Sequence, residues 1–276
     1  MFELKDVLSE KFDFKSGIWY SNPAINELSY PANCYDTYFE VEEGSFWFKH
    51  RKNLLVLLIN KLSPSDLFFD IGGGNGYLTK ALQDNGINSV LVEPGQQGVI
   101  NARNRKVNQI ICGTSSDLLH LSGEISAIGV FDVIEHIEDD DLFVSDLSKL
   151  LKKDGLLYIT VPAFHFLWSD DDAAAGHFRR YTTNSISELM QRNGLEIVYL
   201  TYFFSILIFP LFFFRTLASK LGLRSLKEGK VSREHKQGSG LFSKFLNLVW
   251  KMEMNSVCKQ RIIPFGTSCL CVARKL

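Results

Sequence analysis

The sequence predicts an α/β protein with a doubly wound, mostly parallel sheet of seven strands. From about residue 45 onward, short apolar runs alternate with amphipathic stretches at helical spacing. One apolar run, LFFDI at 67–71, leads directly into a glycine-rich segment and then into a helix-like stretch. Because this alternation is typical of parallel strands joined by helical crossovers, we expect ligands at the carboxyl ends of the strands.

The predicted elements follow one another regularly along the chain. A helix at 46–62 has apolar residues at helical spacing and ends before the break SPSD. Gly86, an Asp-Gly pair at 154–155 and Gly194 mark the ends of later helices. Beyond 67–71 we predict helices at 76–86, 96–106, 139–152 and 184–193, and strands at 89–94, 109–112, 127–134, 156–162, 195–200 and 267–274.

Four segments of different composition divide the chain. Residues 1–45 are aromatic and acidic with weak periodicity, and we interpret them as an N-terminal extension that caps a pocket. Residues 46–200 carry the alternating elements and form a ligand-binding core. Residues 201–262 are apolar and basic, and predict a helical insertion before the last strand of the core, which lies within 263–276.

The composition is typical of a globular protein in a reducing compartment. Hydrophobic residues make up 46% of the chain and Phe occurs 22 times, which excludes large-scale disorder. The five cysteines have no paired spacing, and Cys269 and Cys271 fall in an apolar run typical of a core strand. The first residues contain no apolar segment with a small-residue cleavage site. We therefore expect a cytoplasmic protein.

Charge is distributed unevenly, although the net charge is only −1. Residues 1–200 carry 17 Lys and Arg against 28 Asp and Glu, whereas residues 201–276 carry 13 against 3. A basic C-terminal quarter indicates an anionic partner, either a membrane surface or a phosphate, or else the acidic part of the same chain.

An uncharged run from Ile197 to Phe214 opens the insertion. A membrane span needs about 20 apolar residues, and this run is too short once its strand is subtracted. Two interpretations stay open: a buried helical hairpin, or an interfacial surface followed by basic residues. The stretch 241–254 adds an amphipathic helix with Leu248 and Met252 on its apolar face, for which a core position is the more frequent outcome. On the interfacial interpretation, residues 202–254 contact a membrane surface and the protein is peripheral at the inner face of the membrane, whereas on the other interpretation they are core.

The segment DIGGGNG, from Asp70 to Gly76, is a ligand loop behind the first core strand. The dinucleotide fingerprint G-x-G-x-x-G fails here, because counting from Gly72 its last position is Tyr77. The phosphate loop G-x-x-x-x-G-K-[ST] fails as well, because no lysine stands in the required place. What remains is D-x-G-x-G-x-G with an acid, Glu93, at the end of the next strand.

In this pattern the sequence resembles the class I S-adenosylmethionine-dependent methyltransferases, from about residue 66 to residue 200. The cofactor carries an ammonium, a sulfonium and a ribose diol but no phosphate, so a loop flanked by carboxylates suits it. The resemblance implies that the loop lines the amino-acid end of the cofactor and that Glu93 takes the ribose hydroxyls. The loop residues in question are Asp70, Gly72, Gly74 and Gly76.

Two further segments extend the resemblance. After the third core strand, CGTSSDLL offers Thr114 and Ser115 for the adenine, with Thr114 in place of the family's common aspartate. The segment VFDVIEHIEDDD matches the family's fourth-strand motif. By that resemblance, Val130 and Phe131 lie beside the cofactor and Asp132 lies toward the methyl-transfer side.

Methyl transfer to oxygen generally needs a general base, for which histidine is well suited. The sequence offers His136, His165 and His177 as catalytic candidates. Glu135 and His136 are too few ligands for a metal on their own, so no metal site is predicted, and both residues also suit a helix-capping and packing role.

The long connection 163–182 is the predicted acceptor-binding loop, because it starts where the fifth core strand ends. Its arginines either clamp an anionic group of the acceptor or pair with Asp170 to Asp172 and order the loop. A helix that precedes the first core strand contributes to the same region. Together, the residues predicted to bind the acceptor are Trp47, Arg51, Asp132, Trp168, Arg179, Arg180 and Tyr181.

These features predict a methyltransferase that uses S-adenosylmethionine to methylate an oxygen of a small-molecule or lipid-linked glycan acceptor. One alternative is a non-catalytic module that binds the cofactor and regulates a partner. A nucleic-acid methyltransferase is disfavoured, because the core is acidic and no N/D-P-P-Y-type motif follows the fourth strand.

Overall fold

The computed structural model describes Leu4, Leu8 and residues 11–22, 34–62, 67–221 and 241–276, without the side chains of 34 and 241–245. Its centre is a single sheet of nine strands. The strands are β1 Phe12–Lys15, β2 Ile18–Ser21, β3 Phe68–Ile71, β4 Ser89–Val92, β5 Ile110–Cys112, β6 Ile125–Phe131, β7 Leu151–Pro162, β8 Leu195–Phe203 and β9 Ser268–Lys275.

The strand order is β1-β2-β5-β4-β3-β6-β7-β9-β8. The run from β5 to β7 is parallel, while β9 is antiparallel to both of its neighbours. These seven core strands confirm the predicted fold class. The predicted total of seven is wrong, because the N-terminal extension adds the hairpin β1–β2 to the edge of the sheet at β5.

The sequence did not predict the hairpin, because its turn and its first strand carry few of the usual sequence signals. Its turn, Ser16-Gly17, takes positive φ at both residues (54° and 81°), as a tight two-residue hairpin requires. Only Gly17 signals this conformation in the sequence, and β1 is too charged to resemble a buried strand. Trp19 and Tyr20 of β2 then pair in parallel with β5, which no local pattern announces.

Ten helices flank the sheet in the described part of the chain. They are α1 Cys34–Glu42, α2 Phe46–Leu62, α3 Tyr77–Asp84, α4 Gln96–Asn104, α5 Asp140–Leu150, α6 Asp170–Ala174, α7 Thr183–Arg192, α8 Ile208–Leu211, α9 Ala218–Lys220 and α10 Leu241–Cys258. A π-helical segment, Phe212–Leu217, joins α8 to α9, and short 3-10 turns lie at Ser115–Leu121, Ile134–His136, His165–Leu167 and Ser205–Leu207.

The order of the strands fixes where a ligand can bind. Strand β3 lies between β4 and β6 and is parallel to both, so the chain leaves β3 toward one neighbour and returns on its other side. The carboxyl ends of β3, β4, β6 and β7 therefore lie along one edge, with a crevice at the β3–β6 boundary. A hydrophobic core covers each face of the sheet: one includes Ile128, Leu157 and Ile186, and the other Leu54 and Phe68.

The buried face of α10, in the insertion, is not the one that the sequence predicted. Leu248 and Met252, predicted on the buried face of α10, are 57% and 62% exposed. Leu246, Trp250 and Val257 are buried instead. Trp250 stacks on Phe46 of α2 at a centroid distance of 5.2 Å, and this contact sets the rotation of the helix. No helix among the described residues is long and apolar enough to cross a membrane.

A buried polar pair fastens α10 to the core. His50 Nε2 lies 2.7 Å from Glu253 Oε2, and each side chain is only 3% exposed. Glu253 Oε1 also accepts hydrogen bonds from the backbone and hydroxyl of Ser205. Burial alone would raise the pKa of Glu253, but the hydrogen bonds from His50 and Ser205 hold the pKa below its usual value.

Removal of this carboxylate is expected to destabilise the whole protein. Glu253→Ala leaves His50 and Ser205 buried without their partner, so the free energy of unfolding should fall by about 3 kcal/mol. Urea denaturation measures the change. The control Glu196→Gln, at an exposed position of β8, should stay within about 0.5 kcal/mol of the parent. Equal stability of Glu253→Ala and the parent would contradict the assignment.

Candidate functional site

The glycine loop joins β3 to α3 in a conformation that needs bare backbone. Gly72, Gly74 and Gly76 all have positive φ, between 55° and 72°. A Cβ at Gly72 would lie 2.6 Å from Val133, and one at Gly76 would lie 2.8 Å from Ala102. The loop therefore packs directly against the segment that leaves β6 and against α4, and a side chain at either glycine would push these elements away.

Asp70 is the second-last residue of β3, beneath this loop, and is 1% exposed. The Thr79 hydroxyl of α3 donates a hydrogen bond of 2.6 Å to its carboxylate, which ties the helix to the strand end. Burial raises the pKa of Asp70 to about 6, although the hydrogen bond from Thr79 and the charge of Arg51 act in the opposite direction. Asp70 thus positions the loop and adds negative charge below it.

Glu93, at the end of β4, is held by three donors. Its carboxylate accepts hydrogen bonds from the backbone of Gly74 at 2.8 Å and of Gly95 at 2.7 Å. The Tyr35 hydroxyl of α1 donates a third, also at 2.8 Å. Burial raises the pKa of Glu93 above its usual value, although these hydrogen bonds act in the opposite direction. The sequence did not predict this role of Tyr35. The only indication of it was the aromatic and acidic composition of the N-terminal extension.

Asp132 follows β6 and faces α2 across the crevice. It has a positive φ of 57°, a conformation that L residues rarely adopt. Arg51 of α2 forms an ion pair with its carboxylate, and the guanidinium lies 4.8 Å above the ring of Trp47. Burial lowers the pKa of Arg51 to about 10. The structure thus brings three predicted acceptor residues together at one wall of the crevice.

The remaining predicted cofactor residues follow β5 or end β6. The Thr114 hydroxyl and backbone both donate to Asp117 and cap the 3-10 turn after β5, and Ser115 begins that turn. Val130 and Phe131 are 0% and 6% exposed and belong to the two hydrophobic cores. Their contact with the cofactor stays a prediction.

The acceptor loop is organised by the buried carboxylate of Asp172, which is 2% exposed. Arg180 donates to both of its oxygens, at 2.8 and 3.0 Å, and His177 Nδ1 lies 2.9 Å from one of them. Burial alone would raise the pKa of Asp172, but the hydrogen bonds from His177 and Arg180 hold the pKa well below its usual range. Arg180 therefore fits the second interpretation of the arginines, in which they pair with the aspartates and order the loop.

Of the other residues predicted in this loop, some bond to the rest of the protein and others are exposed to solvent. Arg179 pairs with Asp140 at 2.7 Å, rather than with Asp170 to Asp172. The buried Tyr181 also donates to Asp140, at 2.8 Å. His165 is exposed and lies against the half-buried Trp168, with ring centroids 5.7 Å apart. Tyr181 therefore anchors the loop.

His136, in the 3-10 turn after β6, lies against His177, with ring centroids 4.7 Å apart. With Glu135 they form a cluster whose nitrogen and oxygen atoms all lie within 4.8 Å of one another. Burial raises the pKa of Glu135 to about 8, and burial together with the nearby His177 lowers the pKa of His136 to about 4. At neutral pH the cluster therefore holds a protonated carboxyl and a neutral imidazole. The sequence interpretation did not group His177 with the other two.

The site fits a cationic nucleoside cofactor without phosphates. The position of a Cβ at Gly74 is open, which permits close approach of a ligand, and the carboxylates of Asp70 and Glu93 suit an ammonium and a ribose diol. Fold and loop together define a doubly wound protein with a nucleoside-cofactor site at its switch point.

A family model described as a methyltransferase domain matches residues 47–200, more than half of the chain. The protein belongs to this family, and it is a class I S-adenosylmethionine-dependent methyltransferase. Its cofactor is S-adenosylmethionine.

Two curated proteins are similar over part of the chain. The ubiquinone biosynthesis O-methyltransferase of Pelagibacter ubique is 28% identical over 94 residues, which are 33% of this chain and 39% of the relative. A probable S-adenosylmethionine-dependent methyltransferase of Mycolicibacterium smegmatis is 22% identical over 158 residues, 56% of this chain and 61% of the relative. The chain thus spans less than two thirds of either relative.

Solved structures share the fold. A methyltransferase of Thermotoga maritima, described as a possible histamine N-methyltransferase, has a TM-score of 0.53 at 17% identity, over 88% of this chain and 95% of that one. Phosphoethanolamine N-methyltransferase 2 of Haemonchus contortus, in complex with S-adenosylmethionine, has a TM-score of 0.57 at 16% identity, over 93% and 61%.

Affinity for S-adenosylhomocysteine should fall as the pH drops through about 6, the raised pKa of Asp70. Above that pH Asp70 is ionised and attracts the ligand's ammonium, whereas below it the protonated carboxyl does not. The affinity should fall by up to about tenfold per pH unit. Calorimetric titration of the parent, Asp70→Asn and the exposed control Asp84→Asn measures the profile. A flat profile in the parent, or the same profile in Asp70→Asn, would contradict this role.

Proposed function

We propose that the protein transfers a methyl group from S-adenosylmethionine to a hydroxyl oxygen of a small-molecule or lipid-linked glycan acceptor. The observation that carries this proposal is the Asp172–His177 pair beside the cofactor crevice. Oxygen acceptors must lose a proton during transfer, and an oriented histidine is a common means of removing it.

The protonation of the pair follows from its chemistry. Because the pKa of Asp172 is held well below its usual range, the carboxylate is ionised at neutral pH and can only accept hydrogen bonds. His177 Nδ1 must therefore carry the hydrogen, which leaves the lone pair on Nε2. Asp172 thus fixes the tautomer that a base needs and stabilises the imidazolium that forms when His177 takes a proton.

Glu135 and His136 supply the polar surroundings of this base. Glu135 is 1% exposed, and its Oε2 has no hydrogen-bond partner among the described residues. With a pKa of about 8, its carboxyl is protonated at neutral pH and can donate to an acceptor oxygen. S-adenosylmethionine supplies an electrophilic methyl group on a sulfonium. The protein holds the acceptor hydroxyl near His177 and takes its proton at Nε2.

Two further findings support oxygen as the methylated atom and a lipid-linked acceptor. The similar Pelagibacter ubique protein is named as an O-methyltransferase. The acceptor loop is also hydrogen-bonded to the apolar insertion, since the Thr216 hydroxyl donates to the backbone oxygen of Leu167 at 3.0 Å. An acceptor with an apolar tail would thus find apolar surface next to the loop that carries the base.

The acceptor class can be tested with S-adenosylmethionine carrying a labelled methyl group. The protein is incubated separately with a water-soluble metabolite extract and with a lipid extract, and the labelled product is identified by mass spectrometry. We expect a methyl ether. A methylamine would contradict oxygen methylation, and tight S-adenosylhomocysteine binding with no labelled product in either extract would favour the non-catalytic alternative.

Loss of the base should reduce turnover without affecting the cofactor. His177→Ala is expected to lower kcat by about 100- to 10,000-fold. Asp172→Asn should lower kcat in the same direction, because it removes the ionised orienting group. Affinity for S-adenosylhomocysteine should stay within about twofold in His177→Ala, because His177 lies on the acceptor side.

His120→Ala is the matched control, since His120 is exposed and its ring lies 6.0 Å from that of Phe12, at another part of the sheet. Unchanged kcat in His177→Ala would refute the base. A parent enzyme that loses activity in EDTA and regains it with a divalent cation would instead assign Glu135, His136 and His177 to a metal.

A further inference from the structure

The helical segment 208–220, together with Leu221, presents its apolar side outward. It begins directly after β8 and the short turn Ser205–Leu207. We call its solvent-exposed apolar side chains the outward aromatic face. They are Phe209, Phe213, Phe214, Leu217 and Leu221, which are 64%, 55%, 77%, 37% and 61% exposed.

Three polar side chains of the same segment bond to the acceptor loop, whereas Lys220 is exposed. Arg215 donates to Asp171 at 2.6 Å, and Thr216, only 1% exposed, donates to the backbone oxygen of Leu167 at 3.0 Å. The Ser219 hydroxyl accepts a hydrogen bond of 3.1 Å from the backbone of Asp170. These bonds fix the rotation of the segment, so its phenylalanines cannot turn inward without breaking them.

This polarity is the reverse of that in an ordinary surface helix, which buries its apolar side and exposes its polar one. Transfer of a phenylalanine side chain from water to an apolar environment is favourable. A contiguous face of exposed phenylalanines therefore indicates an apolar partner. The alternative of a buried hairpin fails for this segment on the same exposures.

We propose that the outward aromatic face docks onto the surface of an anionic lipid bilayer. Residues 201–276 carry 13 basic against 3 acidic residues, and Lys220, Arg224 and Lys227 follow the phenylalanines closely in the sequence. Residues 1–200 carry 28 acidic against 17 basic residues, so an anionic surface attracts the C-terminal quarter and repels the rest. Acyl chains for the phenylalanines and anionic headgroups for the basic residues match both properties.

Docking at this face would bring the acceptor loop to the membrane surface. Asp170, Asp171 and Leu167, which hold the segment, belong to the same loop as Asp172 and His177. The docking itself does not depend on which atom or molecule is methylated, so it stands apart from the proposed reaction.

The test is co-sedimentation of the full-length protein with vesicles of phosphatidylglycerol or of phosphatidylcholine. We expect the parent to bind phosphatidylglycerol vesicles and to bind phosphatidylcholine vesicles more weakly. The double variant Phe213→Ser, Phe214→Ser should bind phosphatidylglycerol at least about tenfold more weakly. Phe14→Ser is the control, because Phe14 is 58% exposed on β1, at the opposite edge of the sheet.

Three outcomes would overturn the proposal. The parent does not sediment with phosphatidylglycerol vesicles; the double variant binds as the parent does; or sedimentation velocity without lipid shows a dimer that the double variant abolishes. The last result would assign the face to a second copy of the chain. S-adenosylhomocysteine titration of the double variant verifies that the core is intact.

Discussion

The acceptor side of the molecule depends on one buried ion pair, between Asp172 and Arg180. The carboxylate is 2% exposed, and the guanidinium donates both to it and to the backbone oxygen of Ala163. The pair thus joins the two ends of the loop that follows β7. Without such a partner, burial raises the pKa of a carboxyl and favours its protonated form. His177 Nδ1 would then face a neutral acid, and the tautomer of its ring would no longer be fixed.

The three aspartates of the short helix α6 make different contacts. Asp172 points inward to the histidine and the arginine, whereas Asp171 binds Arg215 and the backbone of Asp170 contacts Ser219. One turn of helix therefore connects the proposed base to the insertion. The cofactor side is built differently, because the glycine loop and Glu93 are ordered mainly by backbone donors. The two sides meet where Glu135, His136 and His177 converge.

Local patterns predicted the core strands, the glycine loop and the two cofactor acids, because each depends on residues that are close in sequence. They did not predict contacts set by distant partners. Tyr35 reaches Glu93 across 58 positions, and His50 reaches Glu253 across 203. The predicted buried face of α10 was wrong for this reason. Apolar residues occur on two sides of the helix, and the contact between Trp250 and Phe46 determines which side is buried. The histidines were found as residue types, whereas their grouping required the fold.

The N-terminal hairpin changes what the sheet offers to other chains. Without it, β5 would be an edge strand of three apolar residues, Ile110, Ile111 and Cys112, with unpaired backbone groups. Such an edge is a template for pairing with another polypeptide. The hairpin moves the free edge to β1, where Asp13, Phe14 and Lys15 are exposed and the strand carries charges of both signs. A truncation that begins after residue 22 would therefore yield a protein prone to aggregate, even with every methyl-transfer residue in place.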